Sequence, residues 1–294
     1  MSDPKFSGTG VALVTPFLED GSIDFPSLEK LINHTISNGV DFLVALGTTA
    51  ETPTLSVVEK IAILEYVAQV NNKRVPLVCG LGGNNTALVL KDLAEFPLAK
   101  VDGILCVVPY YNKPNAEGVY QHFKAVAEAT DKNIILYNVP GRTGSNMAVD
   151  TVVRLANDFK NIVAIKEAAG NMSQSMQLVH SLPSSFSILS GDDDLVMPQV
   201  AAGFSGVISV AANCWTKDFT DMVNAARKND FNRARVLHYK LLKGIGLLFT
   251  EGNPAGVKYV LNEMDICKNT FRLPVVGVSD PTKQNIKDYI AQLK

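Results

Sequence analysis

One lysine of the chain directly follows a run of apolar residues, which is an unusual setting for an ammonium group. Residues 162–165 read Ile-Val-Ala-Ile, and Lys166 comes next. A short apolar run with β-branched residues indicates a strand buried on both faces. Because side chains alternate along a strand, we expect Ile162, Ala164 and Lys166 to share one face. Two interpretations are open: Lys166 extends to water beside an acid such as Glu167, or it is an amine nucleophile.

The nucleophile interpretation needs a particular environment, because an amine attacks a carbonyl only in its neutral form. The pKa of a free lysine is about 10.4, so roughly one molecule in two thousand is neutral at pH 7. Desolvation lowers the pKa of a lysine by disfavouring its charged form. The other residues of the chain must therefore supply a sheltered pocket.

Further polar side chains follow other predicted strands and are candidates for the same pocket. They are Thr48 and Thr49 after the second strand, Tyr110 and Tyr111 after the fourth, and Tyr137 and Arg142 at the end of the fifth. Each also has an ordinary interpretation: the threonines could cap a turn, the tyrosines could pack, and the arginine could be a solvated loop charge. Their common position at strand ends favours a site.

The elements that would position these residues alternate between strand and helix. Eight short apolar runs are predicted strands: residues 11–16, 42–46, 77–80, 103–107, 134–137, 162–165, 186–189 and 206–210. Helical periodicity lies between them, and Ser56 with Glu59 has the spacing of a capping box. Eight such units in roughly 210 residues predict an α/β fold, a closed (β/α)₈ TIM barrel. An open doubly wound sheet is the alternative, but no GxGxxG turn follows the first strand.

The last part of the chain is predicted to be helical. The predicted helices are residues 218–227, 231–242, 255–261 and a final helix that begins at Asp280. We predict a catalytic barrel over residues 1–230 and a C-terminal helical region over residues 231–294 that packs on it. Barrel enzymes carry their catalytic groups at the carboxyl ends of the strands. The polar residues above would therefore gather at one rim.

Composition argues against several classes of partner. Of the 294 residues, 47% are hydrophobic and 19% charged, and the net charge is −2. No basic patch suggests nucleic acid. No apolar run approaches the roughly 18 residues of a membrane helix, and residues 1–10 lack the apolar centre of a signal peptide. We expect a cytoplasmic protein that binds neither nucleic acid nor membranes.

A metal or cofactor is not expected either. The four cysteines and four histidines have no metal-ligand or redox spacing. Asp192, Asp193 and Asp194 precede an apolar helical run. Carboxylates suit the N-terminal end of a helix, so we expect them to cap it rather than to bind a metal.

From about Gly8 to its C-terminus the chain resembles the dihydrodipicolinate synthase family, within the superfamily of N-acetylneuraminate lyase. The resemblance rests on GTTAE at residues 47–51, PYYNKP at 109–114, YNVPGRT at 137–143 and Lys166 in its apolar strand. It implies a class I aldolase-type reaction. Lys166 would form a Schiff base with pyruvate, and the derived enamine would attack L-aspartate 4-semialdehyde. The product would be 4-hydroxy-tetrahydrodipicolinate, in the diaminopimelate route of lysine biosynthesis.

The resemblance also implies roles for other residues. Tyr137 would exchange protons beside the imine, and Thr48 would link it to Tyr111. In the family the tyrosine at this last position reaches across a dimer interface, and the assembly is typically a homotetramer built as a dimer of dimers. Thr49 would hold the pyruvate carboxylate, and the backbone at Ile208 would shape that pocket.

Arg142 is the residue that distinguishes members of the superfamily. A guanidinium suits the carboxylate of the semialdehyde because it can bind it through two hydrogen bonds. This favours the synthase over an N-acetylneuraminate lyase or a ketodeoxygluconate-type aldolase. A non-catalytic barrel that binds a keto acid and a metal-dependent aldolase are further alternatives.

One departure from the family pattern concerns Ala50, where the family usually has glycine. An alanine at positive φ would be strained. We therefore expect the backbone of Ala50 to have negative φ.

A second departure concerns feedback inhibition by lysine. Many bacterial relatives bind lysine at the dimer interface with a His and a Glu, and Val57 and Leu88 stand at those positions here. Loss of the acid that pairs with the inhibitor's ammonium group predicts that lysine inhibits weakly or not at all. The candidate residues of this allosteric pocket are Asn84, Tyr110 and Lys60, the last standing where a second His is common.

Overall fold

The structure is a computed structural model that describes residues 5–293. Residues 1–4 and 294, at the outer ends of the two predicted regions, lie outside the described residues. Eight parallel strands close into a barrel in chain order, each paired with the next and β8 paired with β1. The strands are β1 Gly8–Ala12, β2 Phe42–Ala45, β3 Leu77–Gly80, β4 Gly103–Val107, β5 Asn133–Asn138, β6 Ile162–Glu167, β7 Ser187–Ser190 and β8 Gly206–Ser209. The predicted (β/α)₈ barrel is confirmed.

Helices surround the barrel and continue beyond it. Those of the barrel are α1 Phe25–Ser37, α2 Val57–Asn71, α3 Thr86–Glu95, α4 Ala116–Glu128, the short α5 Pro140–Thr143, α6 Val149–Asp158, α7 Met172–Ser181, α8 Val196–Ala201 and α9 Thr216–Arg227. The C-terminal helices are α10 Phe231–Phe249, α11 Ala255–Glu263 and α12 Asp280–Leu293. No helix among the described residues is long and apolar enough to span a membrane.

Two groups of buried apolar side chains divide the interior of the molecule. One fills the barrel, and it includes Tyr137, Ala164, Leu189 and Ile208. The other lies between the strands and the helices. Ala164 thus points into the barrel, and alternation along β6 places Lys166 on the same inner face.

The prediction for the start of β6 is wrong in one respect. Ile162 belongs to the outer group of side chains, whereas Ala164 belongs to the inner group. The register between β5 and β6 shifts there: Ile134 pairs with Ile162, but Ile135 pairs with Ala164. The intervening residue interrupts the alternation, as at a β-bulge. The shift lies upstream of Lys166.

The first strand begins earlier than predicted, at Gly8 instead of residue 11. It closes the barrel by pairing with β8 from Gly8 opposite Gly206. A Cβ on Gly206 would lie 2.0 Å from the Gly8 carbonyl oxygen, so only glycine permits this approach. The apolar pattern missed the strand start because glycines carry no apolar signal.

Two helix ends show what the sequence does and does not specify. The predicted capping box is present: the Glu59 N–H donates to Ser56 Oγ over 3.2 Å, and the Ser56 N–H donates to Glu59 Oε2 over 2.8 Å. Helix α10 runs to Phe249 rather than to residue 242. Gly244 lies within the helix and does not end it. A Cβ at this position would lie 2.2 Å from the Tyr289 ring. This glycine serves a close packing contact with α12.

Side chains of the C-terminal helices belong to the same buried layer as those between the strands and the barrel helices. Leu241, Ile245 and Leu248 of α10 and Val257 of α11 join the same buried group as the outer side chains of the strands. The Tyr289 hydroxyl of α12 donates to the Lys240 carbonyl oxygen over 2.9 Å. The division at residue 230 stays a prediction.

Candidate active site

Lys166 is buried near the carboxyl end of β6. Only 6% of the Lys166 residue is exposed to solvent. The strand register pairs it with Tyr137 on β5 and Leu189 on β7. Its Nζ lies 4.4 Å from the centroid of the Tyr137 ring. Within residues 5–293 no hydrogen bond or ion pair engages this Nζ, so the amine is available to form a bond.

The space around Lys166 depends on a glycine that follows β7. A Cβ on Gly191 would lie 3.0 Å from Lys166 Cε and 2.5 Å from Ala168 Cβ. A larger residue at position 191 would displace the side chain of Lys166. Sequence reasoning did not single out this glycine, although its place directly after a strand was a usable signal.

The prediction that the acidic run caps α8 is wrong. Two of its carboxylates, those of Asp192 and Asp193, instead interact electrostatically with Lys166, whose charge acts to lower their pKa. Leu195 precedes that helix, and no side chain caps it. Asp192 Oδ2 accepts a hydrogen bond from the Gly170 N–H over 3.1 Å. Asp193 Oδ2 accepts from the N–H groups of Val210 and Ala211 over 3.1 and 2.8 Å. The carboxylates therefore tie together loops that follow β6 and β8.

The charge state of Asp193 reflects its position. It is 2% exposed. Burial raises the pKa of Asp193 to about 6, while its hydrogen bonds with Ala211, Ser209 and Val210 and the positive charge of Lys166 act in the opposite direction. Its contacts hold the backbone just after Ile208, which itself is fully buried inside the barrel.

A cavity of about 470 Å³ opens at the carboxyl ends of the strands. Its volume is that of a small-molecule site. Thr48, Tyr110, Tyr137, Arg142 and Lys60 all line it. The structure thus brings together residues from five elements: the β2–α2 loop, α2, the β4–α4 loop, β5 and α5. Lys166, Thr49, Ile208 and Tyr111 are not among its lining residues, and Lys166 adjoins it through Tyr137.

The β2–α2 loop, residues 46–56, carries both candidate threonines. Thr48 is exposed to the cavity and Thr49 is 2% exposed. Ala50 does not have positive φ, as predicted; Glu51 does, at +53°. The Ala50 carbonyl oxygen accepts a hydrogen bond from Thr15 Oγ1 over 2.8 Å. Residues 49–51 therefore form a tight, buried turn within the loop.

Residues of the C-terminal region hold this loop, and sequence reasoning missed them. Asn253 Nδ2 donates to Thr49 Oγ1 over 3.0 Å. Lys258 Nζ donates to Glu51 Oε1 over 2.5 Å, and both side chains are fully buried. Burial lowers the pKa of Lys258, although the charge of Glu51 opposes this shift. A usable signal was a single lysine within the apolar stretch of α11.

Two of the other predicted residues lie at the surface. Arg142 on α5 is exposed at the cavity edge. Tyr111 is 88% exposed and has φ of +71°. Its backbone N–H donates to the Thr143 carbonyl oxygen over 3.4 Å. In this single chain the phenol of Tyr111 does not join the cavity.

Two of the candidate allosteric residues belong to the main cavity. Lys60 and Tyr110 line the cavity described above. The Asn84 carbonyl oxygen accepts a hydrogen bond from Asn112 Nδ2 over 2.9 Å. Val57 and Leu88 are 45% and 57% exposed.

Metal ligands do not converge in the part of the chain that the structure describes. No group of three or more His, Cys, Asp or Glu side chains is placed to hold a metal ion there. The four cysteines are free and buried. The chemistry that the arrangement itself offers is covalent catalysis by an amine with a neighbouring phenol.

The chain is similar to known proteins along nearly its whole length. The model of the dihydrodipicolinate synthetase family matches residues 5–293. The 4-hydroxy-tetrahydrodipicolinate synthase of Flavobacterium psychrophilum is 48% identical over 288 residues, which is 98% of each chain. The structure of dihydrodipicolinate synthase from Acinetobacter baumannii complexed with pyruvate is 38% identical, with a TM-score of 0.95 over 98% of each chain. That of the synthase from Cyanidioschyzon merolae with lysine bound is 32% identical, with a TM-score of 0.94 over 99% of each chain. The chain belongs to the dihydrodipicolinate synthetase family.

Proposed function

We propose that the protein condenses pyruvate with L-aspartate 4-semialdehyde to give 4-hydroxy-tetrahydrodipicolinate, in the diaminopimelate route of lysine biosynthesis. The observation that carries the proposal is the buried Nζ of Lys166, which has no ion-pair partner among residues 5–293 and lies 4.4 Å from the Tyr137 ring centroid. The identity of the relative from F. psychrophilum as a 4-hydroxy-tetrahydrodipicolinate synthase and the pyruvate in the A. baumannii structure support it. The cytoplasmic location remains a prediction from the sequence.

Lys166 would act as the nucleophile. Its neutral amine attacks the ketone carbon of pyruvate, and loss of water gives an imine. Loss of a methyl proton turns the imine into an enamine, whose carbon attacks the aldehyde of the second substrate. The substrate's own amine then displaces Lys166 and closes the ring. One difficult condensation is thereby divided into easier steps.

Tyr137 would carry the protons of these steps. Its register position beside Lys166 and the 4.4 Å between its ring centroid and Lys166 Nζ support this role. A phenol with a pKa near 10 needs hydrogen-bonded support to exchange protons near pH 7. Thr48, on the same cavity wall, would connect it to Tyr111.

Tyr111 would come from a neighbouring subunit. Its side chain is 88% exposed and its φ of +71° is uncommon for a tyrosine, so the surrounding structure must maintain it. Such an exposed aromatic at a strained turn is suited to an interface. We propose a homotetramer arranged as two dimers, with the site complete only across the dimer contact.

The two carboxylates of the substrates would be bound by different residues. Thr49 would hold that of pyruvate through its hydroxyl and backbone N–H, with the main chain at Ile208 closing the pocket. Arg142, at the exposed edge of the cavity, would bind that of the semialdehyde. The position of Arg142 favours a short substrate with a carboxylate over a sugar acid.

Lysine inhibition is proposed to be weak or absent. Apolar Val57 and Leu88 offer no charge to an ammonium group, and the ammonium of Lys60, at the cavity, would repel one. The relative from C. merolae has lysine bound, so the proposal implies that lysine binding differs within the family. Strong inhibition at sub-millimolar lysine would contradict the proposal.

The test combines trapping with a choice of substrates. The protein is incubated with pyruvate, reduced with borohydride and digested, and the mass of the peptide with Lys166 is measured. Pyruvate turnover is then compared with aspartate semialdehyde and with N-acetylmannosamine as the partner. We expect an adduct on Lys166 and turnover with the semialdehyde. No adduct would refute Schiff-base chemistry, and preference for N-acetylmannosamine would point to the lyase.

A further inference from the structure

We propose that Asn253 and Lys258 are positioning residues for pyruvate binding, which they control through the β2–α2 loop. The inference rests on the proposed function, because it assumes that Thr49 binds the pyruvate carboxylate. It assigns to the C-terminal region a part in substrate binding and not only in packing.

The first contact fixes the direction of a hydroxyl proton. Asn253 Nδ2 donates to Thr49 Oγ1 over 3.0 Å, in a setting where Thr49 is 2% exposed. A hydroxyl oxygen that already accepts a hydrogen bond keeps its own proton for another acceptor. Asn253 also lines the cavity beside Thr48 and Tyr137. It therefore leaves the Thr49 proton available to a carboxylate.

The second contact fixes the backbone of the same loop. Lys258 Nζ lies 2.5 Å from Glu51 Oε1, and both side chains are fully buried. The other Glu51 oxygen accepts from the Arg272 N–H over 3.2 Å. Glu51 has φ of +53°, a conformation that a non-glycine residue keeps only where its surroundings enforce it. The ion pair thus enforces the turn that directly follows Thr48 and Thr49.

Lys258 is itself held in place. It donates to the Thr270 carbonyl oxygen over 2.9 Å, and its Nζ lies 4.3 Å from the centroid of the Phe17 ring and 5.0 Å from that of Phe271. Because these contacts fix the ammonium group of Lys258, that group in turn fixes the position of the Glu51 carboxylate. A shift of Lys258 would therefore move Glu51 and the loop with it.

A merely structural role and a positioning role predict different results. If the contacts only stabilised the fold, their loss would lower the melting temperature and leave pyruvate binding unchanged. If they position Thr49, a substitution of Asn253 that keeps the size of the side chain but adds a negative charge should weaken pyruvate binding. Asn253→Asp supplies such a change, because its carboxylate would accept the Thr49 proton and repel the substrate carboxylate.

The experiment measures the pyruvate concentration at which borohydride trapping is half-maximal. From the value of a charge-assisted hydrogen bond, we expect increases of about 100-fold for Asn253→Asp and about 10-fold for Asn253→Ala. Lys258→Met should raise it by about 10-fold and Lys258→Arg by less, since the arginine keeps the ion pair. Trapping at saturating pyruvate should still occur in all four variants.

The control is Tyr289→Phe, which removes a hydrogen bond to Lys240 within the C-terminal region and none to the loop. It should lower the melting temperature without changing the half-saturating pyruvate concentration. An equal increase in Tyr289→Phe would show a general structural effect and refute the inference. An Asn253→Asp variant that is half-saturated at the same pyruvate concentration as the parent would also refute the inference. The pyruvate adduct on Lys166 in that variant would still support the proposed function. A parent protein without any adduct would refute both.

Discussion

The barrel mouth and its junction with the C-terminal region each contain a buried lysine, and the two are held in opposite ways. Lys258, at the junction, pairs with Glu51 and donates to a carbonyl oxygen. Lys166, in the mouth, has neither an ion pair nor a hydrogen bond within residues 5–293, and its Nζ faces the Tyr137 ring. Burial alone therefore does not distinguish the two lysines; what distinguishes them is whether the ammonium group is paired, and this supports the role proposed for Lys166.

The rings near the two lysines also differ. Lys258 lies over Phe17 and Phe271, which offer only the π face. Lys166 lies over Tyr137, which adds a hydroxyl able to donate and accept a proton. The junction is thus suited to holding a charge, and the mouth to exchanging protons.

The largest expected effect comes from removing the reactive amine. Lys166→Met should lower turnover by about 10⁴-fold, because no other group can form the imine. Its free energy of unfolding should stay the same or rise, since no ion pair is lost. Steady-state kinetics and urea unfolding check both parts. Turnover above a tenth of the parental value would remove the distinction drawn between the two lysines.

The next effect comes from breaking the buried pair. Lys258→Met should lower the free energy of unfolding by about 4 kcal/mol, because the Glu51 carboxylate is left buried and unpaired. The measurement is urea unfolding at pH 7. Lys258→Met combined with Glu51→Gln should recover part of the loss, since it removes the orphaned charge. A loss below about 1 kcal/mol for the single variant would contradict the expected role of this pair.

A smaller effect separates the ring from its hydroxyl. Tyr137→Phe keeps the aromatic face beside Lys166 and removes the proton carrier. We expect turnover to fall about 100-fold, a typical loss for a general acid–base group. Borohydride trapping of pyruvate should still detect an adduct. Unchanged turnover would show that another group moves the proton.

The smallest effect tests a partly exposed pair in the same junction. Arg272 contacts Glu59, and this hydrogen bond lowers the pKa of Glu59 from 4.5 to about 2. Because the folded-state pKa is the lower one, the stabilisation is complete above about pH 4.5 and is lost as the pH falls towards 2.

Glu59→Gln tests this pair while a glutamine still serves the capping box. It should cost about 1 kcal/mol at pH 7, and the difference from the parent should shrink between pH 4.5 and pH 3. Thermal unfolding across this range checks it. A difference that does not change with pH would show that the charge is not its source.

Much of the barrel and its rim could be predicted from local sequence. The apolar runs specify strands, and the rule that chemistry lies at strand ends selected Tyr137 and Lys166, which the structure brings close together. The strand β1 was misplaced because its start is set by the contact of Gly8 with Gly206 across the seam of the barrel. Local apolar pattern does not encode such a contact.

The remaining parts of the site depend on partners far along the chain or outside it. The acidic run was assigned to the helix that follows it, but Asp193 is bound by N–H groups that come after β8. Asn253 and Lys258 meet the β2–α2 loop across more than 200 residues. No periodicity reveals such pairings, and the phenol of Tyr111 meets no cavity within one chain.

The distance along the chain between the β2–α2 loop and its anchors has a consequence for biosynthesis on the ribosome. All eight strands have emerged by Ser209, yet Asn253, Lys258 and Arg272 are still to be translated. A nascent chain could therefore close its barrel while Glu51 still lacks its counter-ion. Competence to bind substrate would arise only as translation nears its end.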